Sequence, residues 1–243
     1  MILLSLFISY ILVFQTSSYV FMGIMFCIFF YLFIYIIIKK STKINQWVWK
    51  IKYEITYTTI SFLIFTTILT LYMYLFKLDI LYFDFNFSLY SILLWALFIF
   101  WHDLYFYIIH RLLHQKFLFK YIHYVHHKSN PSNIFSSYSF HPIEALLYIA
   151  ITGIIFIWGV NFYALLIAAF VSDFLTIIWH SWYELFSRKF SKNPLFKIMA
   201  TTSYHDLHHS RNSWNIALYF TYLDKIFWTY DSQYKDNFIN IKR

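Results

Sequence analysis

Apolar runs at residues 19–38, 55–76 and 89–109 each approach the roughly 20 residues that a bilayer-spanning helix needs. In hydrocarbon every backbone N–H and C=O must find its partner within the protein, which leaves helices or a closed barrel. With three Gly and three Pro in 243 residues, the chain lacks the turn residues of a many-stranded barrel. The expected fold class is therefore all-α, a multi-span integral membrane helical bundle. Residues 143–160 and 162–179 form a shorter apolar pair joined near Gly159 and Asn161, either two full spans or a hairpin that stops partway. Residues 1–13 are apolar, with no preceding basic residue and no small-residue cleavage pattern, and read as a retained anchor or interfacial helix.

Charged residues make up 12% of the chain, against roughly 25% in soluble domains. The net charge of +8 sits in segments next to the apolar runs, which is the distribution that orients a membrane protein, so no nucleic-acid partner is expected. Lys39, Lys40, Lys43, Lys50 and Lys52 face Glu54 alone, whereas Lys77 is outweighed by Asp79 and Asp84. The first of these loops is expected in the cytoplasm and the second on the other side. The run at 89–109 then returns to the cytoplasm, where Arg111, Lys116, Lys120 and Lys128 follow. A single cysteine, Cys27, rules out a disulfide framework or a multi-thiolate metal site within one chain.

All eleven histidines lie between His102 and His209, on the side expected to face the cytoplasm. Eight fall into three groups: His110 and His114 in HRLLH, His123, His126 and His127 in HYVHH, and His205, His208 and His209 in HDLHH. On a helix, positions i, i+3 and i+4 share one face, with Cβ atoms about 5–6 Å apart, so two imidazoles can converge on one metal or straddle two. A lone histidine near a span end is ordinary interfacial packing; three groups at helical spacing are a metal-site pattern. Imidazole suits zinc, copper, iron or nickel, and the ligands alone do not choose among them. Neutral rings leave the metal charge uncompensated, which makes Asp103, Glu144, Glu184 and Asp206 candidates for partners of ring N–H groups. His141, before Pro142 and Glu144, fits a helix start that also lies near the site, and His102 lies off the stripe of His110 and His114. Residues 186–199 interleave Arg188, Lys189, Lys192 and Lys197 with Phe190, Leu195, Phe196 and Ile198, the pattern of an interfacial segment or of a solvated basic loop.

The stretches WHDLYFYIIHRLLH, FKYIHYVHHKSNPS and SYSFHPIEA, followed by HSWYELF and HDLHHSRNSWNIALYFTYLDKIFWTY, resemble the membrane fatty acid hydroxylase and sterol desaturase superfamily from about Trp101 to Tyr230. The resemblance implies a non-haem diiron centre, two iron ions that zinc can replace on purification, with dioxygen as co-substrate. It implies the eight box histidines as ligands, adds His180, and makes the substrate a lipid whose C–H bonds are hydroxylated or desaturated. No GxGxxG fingerprint is present, so electrons are expected from a separate ferredoxin or b-type cytochrome with its reductase. The family's last segment reads NYG, WD and FGT where this chain has Asn215-Ile216-Ala217, Leu223-Asp224 and Phe227-Trp228-Thr229.

The expected organisation is an anchoring region at 1–87, a catalytic domain at 88–232 and a polar tail at 233–243. A membrane metal transporter or sensor is the alternative, and it would place its ligands in broken helices near the bilayer midplane. One further pattern is internal. Asp103, His110 and His114 recur in spacing as Asp173, His180 and Glu184, which suggests two related helix-plus-box units with Glu184 in the place of a ligand and both aspartates supporting rings.

Overall fold

The computed structural model describes residues 1, 4, 5, 8, 9, 48–157, 160–181 and 183–240. The expected run at 19–38, Cys27, Gly159 and most of the anchor at 1–13 lie outside them. The described residues are mostly helical, and among them three helices are long and apolar enough to cross a bilayer: α1 (Val48–Lys77), α2 (Leu89–Leu113) and α4 (Phe162–Trp179). The first half of the shorter apolar pair is α3 (Pro142–Ile157), whose 16 residues rise about 24 Å.

These four helices form the bundle, with α1 packed mainly on α3 and α2 on α4. Two small contacts set the pairing. Gly153 on α3 faces the Tyr72 hydroxyl of α1, and any Cβ there would strike it. At the far end, β1 (Phe83–Asp84) pairs in parallel with β2 (Val160–Asn161), a minimal ladder in a chain expected to be wholly helical. Asn161 secures that end: its side-chain oxygen caps α4 at the Ala164 N–H (3.1 Å), and its side-chain nitrogen donates to Asp84 (3.0 Å). Both helical pairs therefore start from one level and carry their C-terminal or N-terminal ends to the histidines.

Beyond α4 the chain builds a cap over residues 183–240, with α5 (Thr202–Arg211), α6 (Tyr222–Ile226) and α7 (Tyr234–Asn240). The region expected as a polar tail is a packed element: Tyr234 and Phe238 on α7 are fully buried against Phe196. Large aromatic side chains spaced one turn apart won over the polar composition around them.

Candidate metal centre

Helix α2 runs past the expected end of its span and delivers His110 and His114 at its C-terminal turn. The second box follows in a compact segment, Lys116–Leu118 and Tyr124–His127 as α-helix with a π turn at Phe119–His123 between them. The widened turn brings His123 beneath His110. The third box lies on α5, and His180 follows the last residue of α4.

The nine rings form two groups. His110, His114, His123, His127 and His208 make the first, and His126, His180, His205 and His209 the second; within each, the ligand nitrogens all lie within 4.8 Å of one another. Each HxxHH box is divided between them. Its i and i+4 histidines stay together, 40° apart on the helix, while the i+3 ring points to the other group. The second box thus gives His123 and His127 to the first group and His126 to the second. The third gives His205 and His209 to the second and His208 to the first. The groups touch through His127 and His209, whose ring centroids are 4.7 Å apart.

All nine rings turn Nε2 inward. His110 Nε2 is 3.0 Å from His123 Nε2 and 3.2 Å from His114 Nε2, and His208 Nε2 is 3.1 Å from His127 Nε2. In the second group His205 Nε2 is 3.1 Å from His180 Nε2 and 3.0 Å from His209 Nε2. Two nitrogens at about 2.0–2.1 Å from one metal, at tetrahedral to octahedral angles, would be about 2.9–3.4 Å apart.

The outer nitrogens of three rings fix their tautomer: His110 Nδ1 donates to the Ile216 carbonyl (2.7 Å), His208 Nδ1 to that of Trp214 (2.8 Å) and His180 Nδ1 to that of Thr176 (2.8 Å), while His123 Nδ1 lies 2.8 Å from Glu144. A ring protonated at Nδ1 presents a bare lone pair at Nε2. Burial, and then the neighbouring imidazoles, hold His123, His127, His126, His205 and His209 neutral by lowering their pKa, as they do for the half-buried His114; burial lowers His180 and His208 to about 4. Several lone pairs facing one another at 3 Å repel unless a cation sits among them. The donor set therefore fits a pair of imidazole-preferring metal ions, and offers no sulfur.

The carboxylates sort differently from their spacing. Glu144 reaches a ring. Glu184 does not occupy a ligand position, because α4 ends at Trp179 and the helical stripe stops with it. Its carboxylate instead accepts the Ser203 N–H (3.0 Å) and hydroxyl (2.7 Å), holding the first turn of α5, and it accepts the Phe186 N–H (3.1 Å). Asp103 accepts the Tyr219 N–H (2.7 Å), and Asp173 accepts the Tyr138 hydroxyl. Asp206 makes no hydrogen bond to a histidine among the described residues. His141 turns its Nδ1 to the Ile143 N–H (3.2 Å) at the start of α3, and buried His102 contacts the Tyr219 hydroxyl (2.8 Å) apart from both groups. The internal repeat therefore fails at Glu184, and its two aspartates meet Tyr219 and Tyr138.

A residue that spacing did not single out organises the first group. Asp224 accepts the N–H groups of Ile216 and Ala217 (2.8 Å each) and the Thr229 hydroxyl (2.6 Å), with the Tyr204 hydroxyl beside them. It thereby ties together the three pieces in which this chain departs from the family's last segment. The carbonyls of Trp214 and Ile216 that hold His208 and His110 belong to the same loop.

Two groups of buried, inward-facing imidazoles at the end of an apolar helical bundle define a membrane protein of the histidine-box class. A model of the fatty acid hydroxylase family matches residues 95–229, and the chain belongs to that family, within the membrane fatty acid hydroxylase and sterol desaturase superfamily. Methylsterol monooxygenase 1 of Rattus norvegicus is 39% identical over 142 residues, 55% of this chain and 43% of the rat protein. The Gallus gallus protein of the same name is 38% identical with the same coverage, and a very-long-chain aldehyde decarbonylase of Oryza sativa is 31% identical over 140 residues, 55% of this chain and 50% of its own. The chain spans about half the length of the curated relatives it matches. No solved structure matches it.

Proposed function

We propose that the protein is a multi-pass membrane oxidoreductase of lipid biosynthesis that hydroxylates or desaturates a lipid, of sterol type before fatty acyl type, using two histidine-held iron ions and dioxygen. The observation that carries this reading is the pair of adjacent groups of imidazoles whose ligand nitrogens converge to within 4.8 Å of one another. His110, His114, His123, His127 and His208 would hold one ion, and His126, His180, His205 and His209 the other. When bound, such a pair supplies an oxidant able to take hydrogen from an unactivated C–H bond, which protein side chains cannot do alone. Names of the methylsterol monooxygenase relatives favour the sterol class.

The chain's own residues orient and enclose. The carbonyls of Trp214, Ile216 and Thr176 keep Nδ1 protonated, Glu144 contacts that of His123, and burial keeps the rings uncharged and excludes water from the reacting centre. Phe106 packs on His110 and Phe140 on His126, while Tyr148 stacks on Phe140 and meets Phe106 edge-on, so an aromatic floor separates both groups from the bundle core. We assign residues 1–87 to anchoring and 88–232 to catalysis, with α7 packed onto the latter. The histidine end faces the cytoplasm in this reading, where a ferredoxin or b-type cytochrome with its reductase delivers electrons.

Lipid analysis of cells carrying the wild-type gene or the His126→Ala variant tests the activity. The expected result is a lipid that has gained one oxygen or lost two hydrogens with the wild type alone. Identical lipid profiles would overturn it. Orientation is tested in a Cys27→Ser background with Lys116→Cys, expected to resist a membrane-impermeant thiol reagent in intact cells, and Asn86→Cys, expected to react. Both positions are exposed, whereas Ser129 in the second-box loop is wholly buried and would be silent in either orientation.

A further inference from the structure

The cap does not simply sit above the ends of the bundle. It descends along α2. His110 bonds Ile216, Asp103 takes the Tyr219 N–H, and Tyr222 stacks on Phe100 with ring centroids 6.0 Å apart. Phe100 lies ten residues before His110, about 15 Å further toward the apolar end of the helix. Residues 197–200 run at the same depth: Thr221 N–H donates to the Ile198 carbonyl (2.7 Å), the Thr221 hydroxyl to that of Lys197 (2.7 Å), and Ala200 N–H to that of Tyr219 (2.9 Å). The C-terminal end of segment 185–198 is thus held beside a helix of membrane-spanning length, below the level of His110.

That segment has two faces. Phe186 and Phe190 stack at 4.3 Å and point inward with buried Phe196. Outward stand Leu185, Leu195 and Ile198, each about half exposed (53%, 52% and 49%), among the exposed side chains of Arg188, Lys189, Lys192 and Lys197. Residues 185–198 include no Asp or Glu, and Glu184 is turned inward to Ser203. Water alone would leave three aliphatic side chains wet, and acyl chains alone would strand four cations without counter-ions. The headgroup layer suits both, since aliphatic tips reach the acyl boundary while ammonium and guanidinium groups meet phosphate.

We propose that this face of the cap is seated in the headgroup layer of the leaflet nearest the histidines and binds anionic phospholipid. The proposal rests on α2 crossing the membrane and is independent of the metal chemistry. It sets the histidine groups above the headgroups, so that a lipid reaches them by rising along the bundle. Charge decides the lipid class: four cations with no carboxylate among residues 185–198 favour an anionic surface.

The test uses nitroxide labels on Leu195→Cys, Lys192→Cys and Leu97→Cys in the Cys27→Ser protein, placed in nanodiscs of phosphatidylcholine with or without phosphatidylserine. Labels at 195 and 97 should collide with oxygen far more than with a water-soluble nickel chelate, and the label at 192 should report headgroup depth and move inward when phosphatidylserine is added. Free access of the chelate to 195 and 192 with 97 protected would overturn this surface and would fit a soluble acidic partner instead. Chelate access to 97 as well would remove the spanning reading and this proposal together. Replacing Arg188, Lys189, Lys192 and Lys197 by Gln should lower phosphatidylserine enrichment around the protein by about tenfold or more. Unchanged enrichment would overturn the proposal even with every label immersed.

Discussion

The two histidine groups are built to different standards of support. In the first, His123 is backed by a buried carboxylate and two more rings by loop carbonyls, all from outside the helices that carry the rings. In the second, His180 bonds the carbonyl of Thr176 within its own helix, and the outer nitrogen of His209 is buried without a partner, as is that of His127 in the first. The first group also has the more costly scaffold. Asn212, Asn215 and Trp228 adopt positive φ near 57°, 57° and 56°, all in or beside the loop that holds His208 and His110. A carboxylate beside a ring offsets metal charge, and a strained loop persists only where its surroundings over-determine it. The first group is therefore expected to be the tighter metal site, and the second the more open one, with four rings instead of five.

Removing a shared element should have the largest effect. His126→Ala and His208→Ala each take from one box the ring that crosses to the other group, and both are expected to abolish turnover in a lipid hydroxylation assay. Residual activity near wild type in either would show that the division of the boxes is not functional.

Glu144→Gln keeps the shape at His123 but removes the carboxyl group that would offset the charge of a bound metal. It should weaken metal binding at the first group by about 10–100-fold in a cobalt titration, leaving the second phase unchanged. Asp224→Asn should act on the same group through the loop carbonyls, by about tenfold. If either variant weakens both phases equally, the groups are coupled and the contrast between them fails.

At the second group, Glu184→Leu should cost about 0.5–2 kcal/mol of stability, read from thermal unfolding of the metal-free protein, because the first turn of α5 loses its acceptor. Glu184→His should not restore this. A gain of bound metal in that variant would reinstate Glu184 as the counterpart of a ligand.

The smallest effect is expected at Trp228, a bulky residue at φ 56° where the family pattern has glycine. Trp228→Gly should raise stability by less than about 1 kcal/mol, since relief of the left-handed backbone is partly offset by the freedom of glycine in the unfolded chain. A clear loss would mean that the indole, 84% exposed, has a membrane contact that outweighs the strain.

Much of this was legible in the residues. Runs of apolar side chains marked α1, α2 and α4 because lipid tolerates no other backbone solution, and the i, i+3, i+4 spacing marked each box as a set of rings on one helix face. The division of each box between two groups follows from the same 100° step but needs the partner helices to be seen. The π turn before His123 carries no composition signal. Spacing misread Glu184 because it assumed a helix through residue 184, and α4 stops at Trp179. Asp224 escaped notice because its work is on backbone N–H groups seven and eight residues away, which no side-chain pattern displays.

Metal content per chain tests the central claim most directly. Wild-type protein made with adequate iron should hold two metal ions, while the double variants His110→Ala/His123→Ala and His205→Ala/His209→Ala should each hold one, with the surviving ion in the opposite group. A wild type saturating at one ion, or both variants retaining two, would contradict the account.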